Sequence, residues 1–456
     1  MNPTTREEKD SLGPVRVPDT AYYGAQTQRA VQNFPISGLY FQEPFIHTLA
    51  LLKKCAAETN CDLGLLAPDP AGAIITAAAE VMAGKMRDQF VVDVFQTGSG
   101  TSTNMNMNEV LAARANEILT GKKGGKSPVH PNDHVNQGQS SNDVIPTVIH
   151  VATIRQIHAE LKPALEQLEL ALSEKASEFS DVRKMGRTHL QDAVPMTLGQ
   201  EFSGYADQIK RGRERLTPAE ERLCELALGG TAIGTGINAP PEFAPRVIAR
   251  LAAVTGLPFR ETRNHFQAQA AQDTAVEVSG VLRTLATSLF KIANDIRWLS
   301  SGPRCGIGEL QLPSLQPGSS IMPGKVNPVI PEVVMQVAMQ VVGNDATIVL
   351  GGQSGNFELN IALPVIAYNL LQSVQLLSNA ARVFSEKCVR GIHANREACS
   401  GYIKKSLALA TALVPHIGYD AAAVIAQKAY ETGESIPEVA RRERVLPGDV
   451  LETLFD

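Results

Sequence analysis

Residues 318–328 carry the side chains best suited to chemistry. They read Gly-Ser-Ser-Ile-Met-Pro-Gly-Lys-Val-Asn-Pro and combine the hydroxyls of Ser319 and Ser320 with the cation of Lys325 and the amide of Asn327. The glycines and prolines between them disfavour helix and strand, so the sequence predicts a loop. Lys325 can balance a carboxylate charge, and Asn327 and backbone amides can donate hydrogen bonds to it. The pattern indicates a site for a small anion, although many loops of this composition are plain linkers.

Three further clusters of hydroxyl, amide and small residues interrupt the apolar pattern. They cover residues 97–109, 139–143 and 186–192, and each lies next to a predicted helix. Serine, threonine and asparagine at such positions often do no more than cap the helix. Four clusters in one chain, however, together predict a pocket lined with hydroxyls and amides, which suits a small dicarboxylate.

His189 is the strongest acid–base candidate within these clusters, because imidazole exchanges protons near neutral pH. An isolated histidine is more often structural. Glu332 follows Pro331, a pair that suits the first turn of a helix. The carboxylate of Glu332 could instead orient and charge an imidazole. The sequence leaves open whether His189 and Glu332 meet.

Composition excludes several classes of function. The chain has 456 residues, 20% of them charged and 44% hydrophobic, which is typical of a soluble protein with two or three domains. A net charge of −5 without a Lys/Arg block argues against a nucleic-acid partner. The six cysteines are scattered, which indicates reduced thiols and no structural zinc. The polar, acidic N-terminus and the lack of a long apolar run predict a cytoplasmic protein that does not span a membrane.

The elements that must position these residues are mostly helices. Apolar patterning predicts helices over residues 44–66, 71–90, from about 108, from about 145, 276–300, 331–350 and 363–385. Strand signals are weak and the first 40 residues look irregular, so the fold class is mainly α. Within 276–300 the apolar residues recur every three or four positions, as in a bundle seam: Val278, Val281, Leu285, Leu289, Ile292, Ile296 and Leu299. Helices this apolar need partners all round, so we expect subunits to associate through a helix bundle.

Residues 318–328 resemble the signature loop of the fumarase/aspartase superfamily. Six other motifs, spread over nearly the whole chain, resemble class II fumarase: residues 97–101, 130–133, 139–143, 186–193, 228–231 and 302–309. The resemblance implies three mostly helical domains, which we place at residues 1–138, 139–390 and 391–456. It also implies a central long-helix bundle shared in a homotetramer, with each active site built from three chains.

The resemblance also implies roles for individual residues. Ser319 would be the general base, and His189 paired with Glu332 would handle the proton of water or hydroxide. The loop side of the substrate site would comprise Ser320, Lys325, Val326 and Asn327. The rest of the pocket would be lined by Ser99, Gly100, Thr101, Ser140, Ser141, Asn142 and Thr188. A second dicarboxylate site would comprise His130, Pro131, Asn132 and Asp133.

The activity implied is reversible, stereospecific hydration of fumarate to L-malate in the tricarboxylic acid cycle, with no metal or organic cofactor. Aspartate ammonia-lyase is the alternative, because residues 327–334 and 431–438 and Ser102 look more like that enzyme. Residues 97–100 and Ser141 favour fumarase. A third alternative is a catalytically silent relative with a structural role, against which the intact loop argues.

Overall fold

Helices make up most of the fold, and the computed structural model describes residues 4–455. The first helices in chain order are α1 (Ala25–Asn33), α2 (Glu43–Asp62), α3 (Pro68–Met82), α4 (Thr101–Thr120), α5 (Ser141–Gln156) and α6 (Lys162–Glu178). The next are α7 (Leu198–Glu214), α8 (Leu216–Leu223), α9 (Phe243–Thr255), α10 (His265–Ala270), α11 (Asp273–Leu299), α12 (Val329–Gly352) and α13 (Leu363–Lys387). The last are α14 (Arg396–Lys405), α15 (Val414–Ile417), α16 (Tyr419–Thr432), α17 (Ile436–Arg442) and α18 (Gly448–Phe455).

The strands are short and pair only in twos among the described residues. They are β1 (Thr5–Asp10), β2 (Gly13–Pro18), β3 (Arg183–Thr188), β4 (Gln191–Thr197), β5 (Glu225–Leu226), β6 (Arg260–Glu261), β7 (Leu310–Gln311), β8 (Gly355–Asn356), β9 (Leu359–Asn360) and β10 (His393–Ala394). β1–β2, β3–β4, β8–β9 and β7–β10 are antiparallel pairs, and β5–β6 is parallel. The predicted mainly α class is therefore confirmed.

The long helices follow the predicted apolar pattern closely. Six of the seven seam positions on α11 are buried, and Val281 is partly buried. Helix α12 is also long and apolar enough to cross a membrane by length and composition alone. A single helix of this kind is weak evidence for a membrane span, because core helices of soluble proteins can be equally long and apolar.

Contacts between Cα atoms divide the chain into two units. Unit 1 comprises Met1–Pro163, Arg213–Ala286 and Ala338–Ser378. Unit 2 comprises Ala164–Gly212, Thr287–Val337 and Asn379–Asp456. Within unit 2 the last 50 residues have an apolar core of their own, which includes Leu413, Ile425 and Val439. The division into three domains stays a prediction.

The structure corrects the predicted elements in four places. Residues 5–18 form a hairpin, not irregular chain, and β3–β4 form a second hairpin over 183–197. Helix α4 begins at Thr101 and α5 at Ser141, seven and four residues earlier than about 108 and about 145. The polar residues at both helix starts are hydrogen-bonded and at least partly buried, so their polarity did not mark a loop.

Candidate active site

The loop of residues 318–328 closes on itself and lies outside any helix or strand, as predicted. The Gly318 N–H donates to the Lys325 carbonyl at 2.7 Å, and the Asn327 side-chain amide donates to the Gly318 carbonyl at 2.7 Å. A Cβ at position 318 would lie 2.6 Å from the Lys325 carbonyl oxygen and 2.8 Å from the Asn327 backbone nitrogen. Glycine is therefore required where the two arms of the loop meet.

The Ser319 hydroxyl lies among backbone donors. Its Oγ accepts the N–H of Ile321 at 3.2 Å and the N–H of Met322 at 2.9 Å. Donors aimed at one oxygen stabilise negative charge on it. This arrangement favours the alkoxide of Ser319, which is the form that can take a proton from carbon.

Most of the remaining loop residues face solvent. Ser320 and Lys325 are exposed, Val326 is 48% exposed, and Asn327 is partly buried. No carboxylate of residues 4–455 lies within 4.0 Å of the Lys325 ammonium. The cation is therefore available to an external anion, and Asn327 keeps one N–H beyond the one given to Gly318.

His189 lies at the tip of the β3–β4 hairpin. Thr188 pairs with Gln191, so His189 and Leu190 are the two turn residues. Both have left-handed backbone angles, with φ of 56° for His189 and 59° for Leu190. Such angles at both positions are typical of a type I′ turn, but a bulky leucine rarely adopts them. Thr188 and His189 are exposed at this strained turn, and strained backbone is often found at functional sites.

A buried ion-pair network holds the base of this hairpin. Arg187 makes two hydrogen bonds, at 2.9 and 3.0 Å, to the fully buried carboxylate of Glu309. Lys184 lies 3.2 Å from Glu309 and 2.7 Å from Glu201 of α7. The charges of two cations and two carboxylates compensate one another. The two hydrogen bonds fix the orientation of the Arg187 guanidinium as well as its distance from Glu309. The network therefore orients the turn that carries His189.

Glu332 occupies the first turn of α12, as predicted. Its N–H donates to the Pro328 carbonyl at 3.2 Å, and its side chain is partly buried. Within residues 4–455, no hydrogen bond or ion pair joins Glu332 to His189. Their pairing stays a prediction.

A turn of Ser99, Gly100 and Thr101 leads into α4. The hydroxyls of Ser99 and Thr101 are hydrogen-bonded at 2.8 Å. Gly100 has a left-handed φ of 73°, and a Cβ there would lie 3.0 Å from a side-chain carbon of α5. A Cβ at Gly98 would lie 2.0 Å from the Ile361 carbonyl oxygen. The two glycines thus let a polar turn pack tightly, with Ser99 and Gly100 buried and Thr101 partly exposed.

Three polar side chains at the start of α5 are each engaged in a hydrogen bond. Ser140 is the N-cap, and its Oγ accepts the Asn142 N–H at 3.2 Å. The buried Ser141 hydroxyl accepts a hydrogen bond from the Asn104 amide at 3.1 Å. The Asn142 amide donates to the Ala232 carbonyl at 2.7 Å. These contacts fix the positions of all three side chains.

Sequence reasoning missed the role of Asp143, which anchors this helix start. One carboxylate oxygen accepts the Ser140 N–H at 2.9 Å, and the other accepts the N–H groups of Gly229 and Thr231 at 3.0 and 2.9 Å. Burial raises the pKa of Asp143, and these donors oppose that shift. Asp143 therefore joins the α5 start to the loop at 229–231.

Sequence reasoning also missed two asparagines inside α4. Asn104 and Asn108 are almost completely buried, and both donate to the Asn136 side-chain oxygen at 3.1 Å. Their spacing of four residues on one helix face was the available signal. Because the helix was predicted to begin near residue 108, Asn104 was assigned to a loop and the pair was not recognised.

The residues predicted for a second dicarboxylate site surround a short π-helical turn. His130 caps this turn, Pro131–Val135, whose first residue is buried. The His130 Nδ1 accepts the N–H groups of Asn132 and Asp133, both at 3.2 Å, and burial lowers the pKa of His130. Asn132 and Asp133 are exposed. Ligand binding here stays a prediction.

Among residues 4–455 no cluster of three or more histidine, cysteine, aspartate or glutamate side chains could hold a metal ion.

Known proteins are similar to this chain in sequence and in fold. A family profile described as Lyase matches residues 13–343, and one described as Fumarase C C-terminus matches residues 409–456. The first match defines the class of protein as a lyase. The class II fumarate hydratase of Thermosynechococcus vestitus is 55% identical, over 96% of this chain and 94% of that protein. That of Nitrosomonas europaea is 56% identical, over 96% of this chain and 95% of that protein. The chain belongs to the class II fumarate hydratase family.

Solved structures agree with this assignment. The crystal structure of a class II fumarase from Schistosoma mansoni matches with a TM-score of 0.96 and 40% identity, over 99% of this chain and 98% of that chain. A fumarate lyase:delta crystallin from Brucella melitensis matches with a TM-score of 0.94 and 46% identity, over 99% and 98% of the two chains. The predicted superfamily fold is therefore confirmed.

Proposed function

We propose that this protein catalyses the reversible, stereospecific hydration of fumarate to L-malate. The observation that carries the proposal is the Ser319 hydroxyl, whose Oγ accepts two backbone N–H groups at 2.9 and 3.2 Å. Membership of the class II fumarate hydratase family supports the same reaction. We assign no metal or organic cofactor to it.

The direction from malate to fumarate makes the demands on the site clear. The Ser319 alkoxide takes the C3 proton of malate, and the electron pair left behind moves onto the adjacent carboxylate. That carboxylate then carries extra negative charge, which hydrogen-bond donors and a cation must stabilise. Lys325 supplies the cation, and Asn327 and Ser320 supply donors. The electron pair then forms the double bond between C2 and C3 as the C2 hydroxyl leaves.

The leaving hydroxide takes up a proton and departs as water. We assign this proton transfer to His189, oriented and charged by Glu332. The exposed imidazole at a strained hairpin turn supports this role for His189. Ser99, Gly100, Thr101, Ser140, Ser141, Asn142, Thr188 and Val326 complete the substrate pocket in this proposal.

A homotetramer with shared active sites is part of the proposal. Helix α12 supports it, because Met339, Val342 and Leu350 are 59%, 44% and 65% exposed in the single chain. Apolar side chains left uncovered along one helix favour a protein partner. Sedimentation equilibrium at micromolar concentration should give a mass of four chains, whereas a monomer would contradict this part of the proposal.

We further propose a cytoplasmic enzyme of the tricarboxylic acid cycle, with a second dicarboxylate site at His130, Pro131, Asn132 and Asp133. The two backbone N–H groups held at the His130 ring support a preformed turn at that site.

The function is tested by following fumarate absorbance in ammonia-free buffer, with malate identified as the product. Loss of absorbance with formation of L-malate is expected. Unchanged absorbance would contradict the proposal. Release of ammonia from L-aspartate without malate turnover would establish the ammonia-lyase instead.

A further inference from the structure

A completely buried lysine lies beneath the α5 start (Ser140–Asn142). Lys53 belongs to α2, and none of its surface is exposed. Its ammonium donates to the Asn136 side-chain oxygen at 3.0 Å and to the Gln139 side-chain oxygen at 3.0 Å. Both acceptors lie in the short stretch of chain directly before Ser140. Burying a cation costs free energy, and the hydrogen bonds that compensate this cost go to side chains that lead into the predicted substrate pocket.

The hydrogen bonds continue from Lys53 to a predicted pocket residue. Asn136 Oδ1 also accepts from the Asn104 amide at 3.1 Å, and that amide donates in turn to the Ser141 Oγ at 3.1 Å. The Asn136 amide donates to the Gln139 carbonyl at 3.1 Å. Lys53 is thus bonded to Gln139 directly and to Ser141 through two asparagines.

One buried anion compensates this cation. Burial lowers the pKa of Lys53 to about 7, and the charge of Asp143 opposes that shift. Asp143 in turn accepts three backbone N–H groups from Ser140, Gly229 and Thr231. The α5 start is therefore held by a cation-centred network and by an anion-centred one, both buried.

We infer that Lys53 is a positioning residue for dicarboxylate binding, which it aids by fixing Gln139 and Ser141, the residues on either side of Ser140. This inference rests on the proposed function. Lys53 is buried and need not touch substrate. Its loss would leave the Gln139 side-chain oxygen without its donor and remove one of three donors to Asn136 Oδ1, so the α5 start would relax. Substrate binding should then weaken more than the chemical step, because Ser319 and His189 have no bond to this network.

The test compares Lys53→Met with wild type. The KM and kcat for fumarate are measured together with the dissociation constant of succinate, a saturated dicarboxylate that cannot be hydrated, by calorimetry. We expect KM and the succinate constant to rise about tenfold and kcat to change less than about threefold. A folded Lys53→Met protein with both constants within about twofold of wild type would overturn the inference.

Lys175→Met is the matched control. Lys175 is also a buried lysine, and its ammonium binds Glu178 at 2.7 Å and the Ile392 carbonyl at 2.9 Å, with no bond to the predicted pocket. The Lys175→Met variant should lose thermal stability, as Lys53→Met does, but keep the wild-type KM for fumarate and the wild-type dissociation constant of succinate. An equal rise in both variants would mean that Lys53 acts only through stability, contrary to the inference.

Asn104→Leu keeps the inference testable if Lys53→Met does not fold. It cuts the path between Asn136 and Ser141 and leaves the Lys53 contacts in place. A rise of about threefold or more in the succinate constant is expected. No rise would overturn the inference. Wild-type protein that neither binds succinate nor hydrates fumarate would overturn the proposed function itself.

Discussion

The α5 start and the 318–328 loop have similar polar compositions but are held in opposite ways. The α5 start is anchored by side chains from α2 and α4 and by the buried carboxylate of Asp143. The 318–328 loop is held by contacts within its own residues, and Ser320, Lys325 and Val326 are exposed. One segment is therefore part of the packed structure, whereas the other presents reactive groups with little effect on packing.

This difference separates stability from chemistry. Changes at the α5 start should cost folding free energy and substrate affinity, because buried polar groups would lose their partners. Changes in the 318–328 loop should cost activity and leave folding nearly intact, because few of its groups are buried. Substitutions in the two segments can break or sharpen this distinction.

Replacement of Ser319 with alanine should have the largest effect on activity. Without a base at C3, kcat should decrease by about 1,000-fold, the middle of the range for loss of general base catalysis. The free energy of unfolding should change by less than about 1 kcal/mol. The two backbone N–H groups that donate to the Ser319 hydroxyl are exposed, so water can replace that hydroxyl as their acceptor. Fumarate absorbance and urea denaturation give the two quantities.

The exposed Ser314 provides the control for Ser319. Ser314→Ala should keep both activity and stability. Full activity in Ser319→Ala would remove Ser319 as the base, and unfolding of that variant would contradict the distinction between the segments.

Replacement of Asp143 with alanine should have the largest effect on stability. Three backbone N–H groups and the Lys53 cation would lose their buried partner, which should reduce the free energy of unfolding by about 3 kcal/mol. Asp207→Ala removes a surface aspartate paired with Arg211 and should cost no more than about 0.5 kcal/mol. Equal losses in urea denaturation would refute the view that the α5 start is part of the packed structure.

Replacement of Lys325 with methionine should weaken substrate binding without loss of stability. A hydrogen-bonded cation that meets a carboxylate contributes about 2 kcal/mol, so KM for fumarate should rise about 30-fold. Lys122→Met, at another exposed loop lysine, should leave KM unchanged. A KM for Lys325→Met within twofold of wild type would exclude Lys325 from the carboxylate site.

Much of the fold was predictable because the long helices repeat a simple physical pattern. Leu285, Leu289, Ile292 and Ile296 on α11 are buried at the spacing that one helix face requires. The β3–β4 hairpin was not predictable in the same way. β3 contains a lysine, a glycine and two arginines, and its turn is His-Leu instead of Asn-Gly.

The candidate site was predictable only in part, for a related reason. The 318–328 loop could be recognised locally, because Gly318 and Pro323 mark it and its polar groups lie together in sequence. The contacts of Lys53 join residues 83 and 86 positions apart, and lysine is rarely fully buried. No local pattern could therefore show that Lys53 supports the α5 start.

The substitution with the smallest expected effect, Ser140→Ala, tests whether the α5 start does more than cap a helix. Ser140 and Ser435 are both N-caps with capping boxes, of α5 and α17 respectively. Alanine at either position should cost about 1 kcal/mol of unfolding free energy, as loss of a cap does. Only Ser140→Ala should also raise the dissociation constant of succinate, by about threefold, because only that cap is assigned to the substrate pocket. If calorimetry gives the wild-type constant for both variants, Ser140 serves the helix alone, and the dicarboxylate contacts at this segment must come from Ser141 and Asn142.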